Sequence, residues 1–123
     1  MSNSFINKKV DLTSDATVTL YTVPSATTAI IKSILVSNDS GTSSLESPTT
    51  IDITLTDASD AVFSIAKGKL IEGPDGQSGE PVEILSKTLV AEAGEIIKVA
   101  ASAADSLHVI LSAMEVLPRI VTT

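Results

Sequence analysis

The most regular pattern of apolar and polar positions in the chain runs over residues 50–57, TIDITLTD. Ile51, Ile53 and Leu55 alternate there with polar residues. Because successive side chains of a strand point to opposite faces, this period of two predicts a β-strand with one buried face and one solvated face. The acidic connection 57–60, DASD, then predicts a tight turn into the next strand.

Further strands are predicted along the rest of the chain, at intervals of about ten residues. Together with the first, they cover residues 16–23, 27–38, 50–57, 62–65, 82–90, 96–103 and 106–117. Pro24 and Gly68 interrupt the pattern, since proline lacks a backbone donor and glycine is typical of bulges. About seven or eight strands without a convincing amphipathic helix predict an all-β fold, a jelly-roll-like β-sandwich.

The segment 89–107 is the one stretch whose composition also suits a helix, because it is rich in Ala and Glu. Gly94 and the Ile96–Ile97 pair favour strands instead, since glycine weakens a helix and β-branched residues suit a sheet. The turn AEAGE, residues 91–95, is then expected to join the strands on either side of it in a hairpin.

Both faces of the predicted strand 27–38 carry apolar side chains. Strict alternation gives one face with Ile31, Ser33 and Leu35, and another with Ile30, Lys32, Ile34 and Val36. One face can pack in the core of the subunit itself. The face that Lys32 interrupts is then expected to contact a neighbouring subunit.

The domain organisation follows from length and composition. With 123 residues, of which 43% are hydrophobic, the chain is long enough for one modest core. We expect an N-terminal arm over residues 1–9, a sandwich over 10–118 and a tail over 119–123. Phe5 and Ile6 are apolar within an otherwise polar arm, which either forms a terminal strand on its own sheet or docks on a neighbouring subunit.

Charge and composition exclude several classes of partner. The net charge of −7 would repel a phosphate backbone, so nucleic-acid binding is not expected. The absence of cysteine excludes disulfides and thiolate metal sites. No window approaches the roughly 18 consecutive apolar residues of a membrane span, and the N-terminus lacks the apolar run of a signal peptide. We expect a soluble protein made in a cytoplasm, with no membrane partner.

His108 is the single histidine and the only candidate imidazole base, with Asp105 and Ser106 next to it in sequence. In an extended strand Ser106 and His108 would share a face at roughly 7 Å. That separation is too long for the direct hydrogen bond that nucleophilic catalysis requires. A histidine exposed to solvent or placed at an interface is the simpler interpretation.

The acidic residues and glycines also lack the spacing of a binding motif. Asp57 and Asp60 offer two oxygen ligands, whereas calcium takes about six to eight, so an aspartate-stabilised turn is the simpler interpretation. The loop GPDGQSG, residues 73–79, lacks the Gly-Lys-Ser/Thr ending of a phosphate loop. A glycosidase carboxylate pair would draw on Glu80, Glu83, Glu92 and Glu95. Sugar sites usually add aromatic platforms, however, and the chain has two Phe, one Tyr and no Trp. We therefore expect no catalytic residue, no cofactor and no metal.

Three segments carry a resemblance to a known group of proteins. They are LYTVPSATTAIIKSILVSN (residues 20–38), LVAEAGEIIKVAASAADSLHVILSAMEV (89–116) and FINKKVDLT (5–13). Over most of its length, excluding the loops 39–48 and 73–81, the chain resembles small virion structural proteins of tailed bacteriophages, particularly those of marine and cyanobacterial phages. These segments are structural in such proteins, so the resemblance carries over no active site.

The resemblance implies a non-enzymatic virion protein made in the host cytoplasm. We expect a capsid decoration or cement protein that stabilises the particle through multivalent subunit contacts, with a neck or tail accessory subunit as the alternative. The expected partners are further copies of itself, as a trimer in the first instance, and virion proteins such as the major capsid protein. A small jelly-roll ligand-binding protein or enzyme is the alternative of another class. The candidate subunit-contact residues are Phe5, Ile6, Tyr21, Ile30, Lys32, Ile34 and Val36.

Overall fold

The computed structural model of the chain describes residues 2–38, 49–71, 81–102 and 107–117. Within these ranges the chain forms nine strands and no helix, so the all-β prediction is confirmed. The strands are β1 (Ser2–Leu12), β2 (Val18–Thr22), β3 (Thr28–Asn38), β4 (Thr50–Thr56), β5 (Val62–Leu70), β6 (Val82–Glu83), β7 (Leu89–Ala91), β8 (Ile96–Ala101) and β9 (Leu107–Leu117). The loop 39–48, residues 72–80 and the predicted tail 119–123 lie outside the described residues.

The strands form two antiparallel sheets that pack as a sandwich. The five-stranded sheet has the order β1-β9-β3, and β6 and β7 both pair with the far side of β3; the four-stranded sheet has the order β2-β8-β4-β5. The strands pair as they would in one long antiparallel ribbon rolled into two layers. The pairs are β1·β9, β2·β8, β3·β6/β7 and β4·β5. This is the jelly-roll arrangement.

The core lies between the sheets and is built almost entirely from branched aliphatic side chains. β-branched residues suit the pleated, closely packed surface of a strand, and each large side chain buried here contributes about 1.5–3 kcal/mol. The predicted inward positions Ile51 and Ile53 are confirmed. The largest fully buried side chains are Leu12, Val23, Ile31, Ile34, Val36, Ile51, Ile53, Ile71, Ile97, Val99, Leu107 and Leu111.

The predicted arm is continuous with the sandwich in the single subunit. Strand β1 pairs with β9 along its whole length, from Ser2 opposite Leu117 to Leu12 opposite Leu107. Ile6 packs against the core from within the predicted arm. The N-terminal strand therefore lies on the subunit's own sheet and forms one of its edges.

A β-bulge in β3 changes which side chains face the core. Ile31 lies opposite Ala113 and Ser33 opposite Ser112, so Lys32 is an extra residue between two consecutive positions of β9. As a result Ile31 and Ile34 are both fully buried, together with Val36. The strict alternation expected for this strand, with Ile31 and Ile34 on opposite faces, is therefore wrong.

The Glu83 carboxylate holds this bulge from the neighbouring strand. It accepts a hydrogen bond from the Ser33 hydroxyl, one from the Ile34 N–H at 2.9 Å and one from the Leu85 N–H at 3.1 Å. The Ile84 N–H in turn donates to the Ile34 carbonyl at 2.9 Å. These bonds satisfy backbone groups where the β3 ladder is irregular and where the chain leaves β6 before β7.

Two turns were expected and have different outcomes. The Asp57 turn between β4 and β5 is confirmed, because the Asp57 carboxylate accepts the N–H groups of Ser59 and Ala61 at 2.8 and 2.9 Å. The hairpin expected around Gly94 is wrong, since β7 pairs with β3 whereas β8 pairs with β2 and β4 in the other sheet. Gly94, at φ 84°, turns the chain from one sheet to the other.

Gly68 confirms a second sequence-based expectation, a bend or bulge within β5. Its φ of 62° lies in the left-handed region that favours glycine. The register between β4 and β5 shifts on either side of Ile53, and the Gly68 N–H donates to the Asp52 carboxylate at 2.7 Å. The bulge therefore bends the edge strand of the four-stranded sheet.

Tyr21 connects the two sheets at one end of the core. Its side chain is only 2% exposed, and its hydroxyl donates to Glu115 Oε2 at 2.6 Å. Burial, the hydrogen bond to Glu115 and the negative charge of that carboxylate all raise the pKa of the Tyr21 phenol far above its ordinary value. Among the described residues no buried side-chain nitrogen or oxygen lacks a hydrogen-bond partner.

We predict that Glu83→Ala destabilises the protein by about 0.5–1.5 kcal/mol, because two backbone N–H groups and a hydroxyl lose their acceptor at a site partly open to water. Glu92→Ala makes the same change of charge at an exposed turn and is expected to shift stability by less than about 0.5 kcal/mol. Denaturant unfolding followed by circular dichroism measures both variants. Equal stability losses in the two variants would contradict the role given to Glu83.

We predict that Tyr21 ionises only as the protein unfolds. Because its pKa is raised in the folded state, the stability that its neutral form contributes is present below the ordinary value of about 10 and is lost as pH rises above it. The chain has one Tyr and no Trp, so tyrosinate absorbance reports this side chain directly. Tyr21→Phe should flatten the alkaline fall in stability. Ionisation near pH 10 with unchanged circular dichroism would refute the prediction.

Candidate functional site

The outer face of the five-stranded sheet carries a row of apolar side chains across four strands. The strand registers place Phe5 opposite Met114, Met114 opposite Ile30, and Ile30 opposite Val90. Phe5 is 80% exposed and Val90 57% exposed, while Met114 and Ile30 are half-buried. We call these four residues the apolar row. Single exposed apolar residues are ordinary, but a contiguous row across a sheet is typical of an interaction surface.

A second, shorter apolar pair lies beside the apolar row on the same face. Ile110, which is 40% exposed, lies opposite Leu35 on β3. Its other neighbour is Lys9 on β1, and Leu35 lies opposite Glu83 on β6. The polar residues Asn7, Ser112 and Ser33 lie between this pair and the apolar row, so the outer face carries two apolar patches separated by a polar strip, with charge at its edges.

The seven candidate contact residues separate into three groups. Tyr21, Ile34 and Val36 are buried in the subunit's own core, with exposures of 2%, 0% and 0%. Phe5 and Ile30 belong to the apolar row. The candidate contact surface therefore excludes the three core residues.

The remaining candidates, Ile6 and Lys32, lie close to Phe5. Together with Asn7, Ser112 and Ala113, these three residues line a shallow depression that is open to solvent. Ile6 also packs against the core, whereas Lys32 is exposed at the bulge. The bulge thus places a lysine beside the apolar row.

Sequence reasoning missed Met114, Val90, Ile110 and Leu35. The alternation within β9 held a usable signal, because Ile110 and Met114 fall on the face opposite the buried Leu107, Val109 and Leu111. Val90 could not be assigned in the same way. Its position in the row depends on the pairing of β7 with β3, which is not visible in the local pattern.

A second exposed apolar group lies at the beginning of β5, in the four-stranded sheet. Val62 and Phe63 are 63% and 56% exposed and follow directly after the Asp57 turn. Phe63 lies opposite Leu55 of β4. The tip of the β4–β5 hairpin is therefore both apolar and acidic, since Asp57 and Asp60 belong to its turn.

His108 lies beside Asp11 of the neighbouring strand β1. Its Nε2 lies 3.4 Å from Asp11 Oδ1, and the two side chains are 40% and 57% exposed. Exposed pairs of this kind contribute about 0–1 kcal/mol. The neighbouring Asp105 and Ser106 lie outside the described residues.

Of the carboxylates considered for catalysis or metal binding, those of Asp57, Glu83 and Glu95 accept hydrogen bonds in turns or at the bulge. Glu83 holds the β3 bulge, and Glu95 Oε1 accepts the Glu92 N–H at 2.7 Å within the turn before β8. In the described ranges no group of three or more His, Cys, Asp or Glu side chains is arranged to hold a metal ion. Nor does the described part contain a helix long and apolar enough to cross a membrane.

Comparison with known proteins gives matches at the level of structure alone. No protein family and no curated protein matches the chain. A chain in the acidic stable capsid structure of Helicobacter pylori bacteriophage KHP30 matches with a TM-score of 0.59 and 12% identity, over 98% of this chain and 92% of that one. At this identity the likeness shows the fold, a β-sandwich shared over almost the whole length.

Two further solved structures match less closely. A pentameric capsid protein isolated from metagenomic phage sequences has a TM-score of 0.44 and 18% identity over 89% of this chain, and this chain spans 58% of the length of that protein. A chain of the cyanophage Pam1 capsid asymmetric unit has a TM-score of 0.47 and 12% identity, over 94% of this chain and 85% of that one. The chain shares its sandwich fold with a chain of the KHP30 capsid structure, and the five-stranded sheet of this sandwich exposes the apolar row.

Proposed function

We propose that the chain is a non-enzymatic structural subunit of a phage virion that assembles through the outer face of its five-stranded sheet. The observation that carries this proposal is the apolar row, which crosses four strands of the sandwich and which no other part of the described ranges covers at Phe5 and Val90, 80% and 57% exposed. The shared fold with a chain of a phage capsid structure supports it.

The physical basis of assembly is burial of this face. A standard interface covers about 800 Å² of each partner, with an apolar centre and a polar rim. The apolar row supplies such a centre, and Lys9, Lys32 and Glu83 supply charge around it. Many copies of one modest contact become collectively strong on a particle, because each further contact forms at high effective concentration.

Within the virion we favour a decoration or cement protein on the head, in contact with the major capsid protein, over a neck or tail accessory subunit. Cementing requires flat contacts between rigid surfaces, and an outer sheet face of Val, Ile, Ser and Thr supplies one. Tail tips that grip sugars depend on aromatic platforms, whereas this chain has two Phe, one Tyr and no Trp. A closed homo-oligomer, with a trimer favoured, is the proposed assembly unit.

We predict that the purified protein is a metal-free closed oligomer and that Phe5→Ser combined with Val90→Ser weakens it. Each large apolar side chain buried at a contact is worth about 1.5–3 kcal/mol, so each substitution should raise the dissociation constant about tenfold or more. Native mass spectrometry across a dilution series measures this shift. Circular dichroism checks that both variants remain folded.

Leu70→Ser is the matched control, because Leu70 is 43% exposed on the other sheet. It should leave the oligomer unchanged. A wild-type monomer that retains a stoichiometric transition metal would contradict the structural role and favour the ligand-binding or enzymatic class. An oligomer unaffected by the double substitution would show that another surface holds the subunits together.

A further inference from the structure

The tip of the β4–β5 hairpin combines exposed apolar area with uncompensated negative charge. Val62 and Phe63 are more than half exposed, and residues 54–66 include two aspartates and no lysine or arginine. The Asp57 carboxylate is occupied by backbone N–H groups of its own turn. Asp60 is exposed and has a φ of 66°. Its carboxylate supplies negative charge at the tip of the hairpin.

The depression on the outer face of the five-stranded sheet is bordered by a positive charge, opposite in sign to that of the hairpin tip. It lies between Phe5 on β1 and Lys32 on β3, above Ser112 of the intervening strand β9. Its volume of about 260 Å³ exceeds the roughly 150 Å³ cavity that holds a benzene ring in another protein. One aromatic ring therefore fits between the apolar row and the lysine.

No carboxylate of the described residues forms an ion pair with Lys32, and the nearby acidic groups have other contacts. Glu83 is hydrogen-bonded to the backbone of the bulge and of Leu85, and Glu115 accepts the Tyr21 hydroxyl. Asp11 lies beside His108, in the row beyond Ile110 on the same face. Lys32 is thus the charged side chain that borders the depression itself.

The hairpin tip and the depression cannot meet within one subunit. The tip belongs to the four-stranded sheet, whereas the depression opens on the outer face of the five-stranded sheet, with the core between them. We propose that the tip of one copy docks in the depression of the next, with Phe63 entering beside Phe5 and Asp60 pairing with Lys32. This inference rests on the proposed function and names the contact that builds its oligomer.

Charge complementarity favours this contact over direct stacking of two apolar rows. Direct stacking of two apolar rows provides no carboxylate for Lys32, because the row contains no acidic residue. Docking of the tip instead brings a carboxylate to a lysine. Because it joins two different surfaces, the contact is heterologous and closes into a ring of subunits when the rotation between copies allows it.

A reciprocal charge reversal tests the docking. Lys32→Glu and Asp60→Lys are each expected to weaken the oligomer about tenfold or more, because each places two like charges at the contact. The two substitutions together restore opposite charges and should recover most of the wild-type affinity. Native mass spectrometry over a dilution series measures the dissociation constant of the wild type, the two single variants and the double variant. Lys69→Glu, at an exposed position on β5, controls for the change in net charge and should leave the oligomer unchanged.

Asp60 has a positive φ, so the lysine variant is accompanied by Asp60→Asn, which tolerates that conformation and should weaken the oligomer in the same direction. Thermal unfolding confirms that each variant is folded. Two results would overturn this contact and leave the proposed function intact. In the first, none of these variants weakens the oligomer. In the second, the double variant Lys32→Glu/Asp60→Lys dissociates as readily as either single variant. A wild-type monomer at every concentration would overturn both.

Discussion

The β-bulge at Lys32 determines what β3 presents to the core and to solvent. One extra residue opposite β9 lets Ile31 and Ile34 both enter the core, and it leaves Lys32 outside next to the apolar row. The Glu83 carboxylate stabilises this arrangement from β6 by accepting a side-chain hydroxyl and backbone N–H groups. Core packing and the charge beside the depression therefore depend on the same local irregularity.

The rolled-ribbon topology explains why the candidate surface is assembled from distant parts of the chain. In β1 and β9, Ser2 pairs with Leu117, and β9 pairs on its other side with β3. A row of four side chains on neighbouring strands thus draws on the N-terminal, central and C-terminal regions. Such non-local pairing makes folding slow relative to helical proteins, because loop closure must precede most native contacts.

Local sequence patterns predicted the elements that depend on local physics. Alternation identified β4, aspartate chemistry identified the turn at Asp57, and glycine identified the bulge at Gly68. The bulge at Lys32 escaped prediction because it depends on Glu83, which contacts Ser33 across 50 positions of sequence. The crossing at Gly94 was mistaken for a hairpin for the same reason, since a local turn does not specify which sheet the next strand joins. Phe5 and Ile30 were predicted as contact residues, whereas Met114 and Val90 required knowledge of the strand order.

The central claim is that the outer face of the five-stranded sheet is covered when the protein is assembled. Cryo-electron microscopy of particles that contain the chain tests it directly, because subunit contacts can be read at the side chains of the apolar row. The account predicts that Phe5, Met114, Ile30 and Val90 lie against a neighbouring protein in every copy. A reconstruction in which this face is open to solvent, with the subunits held through other surfaces, would contradict it.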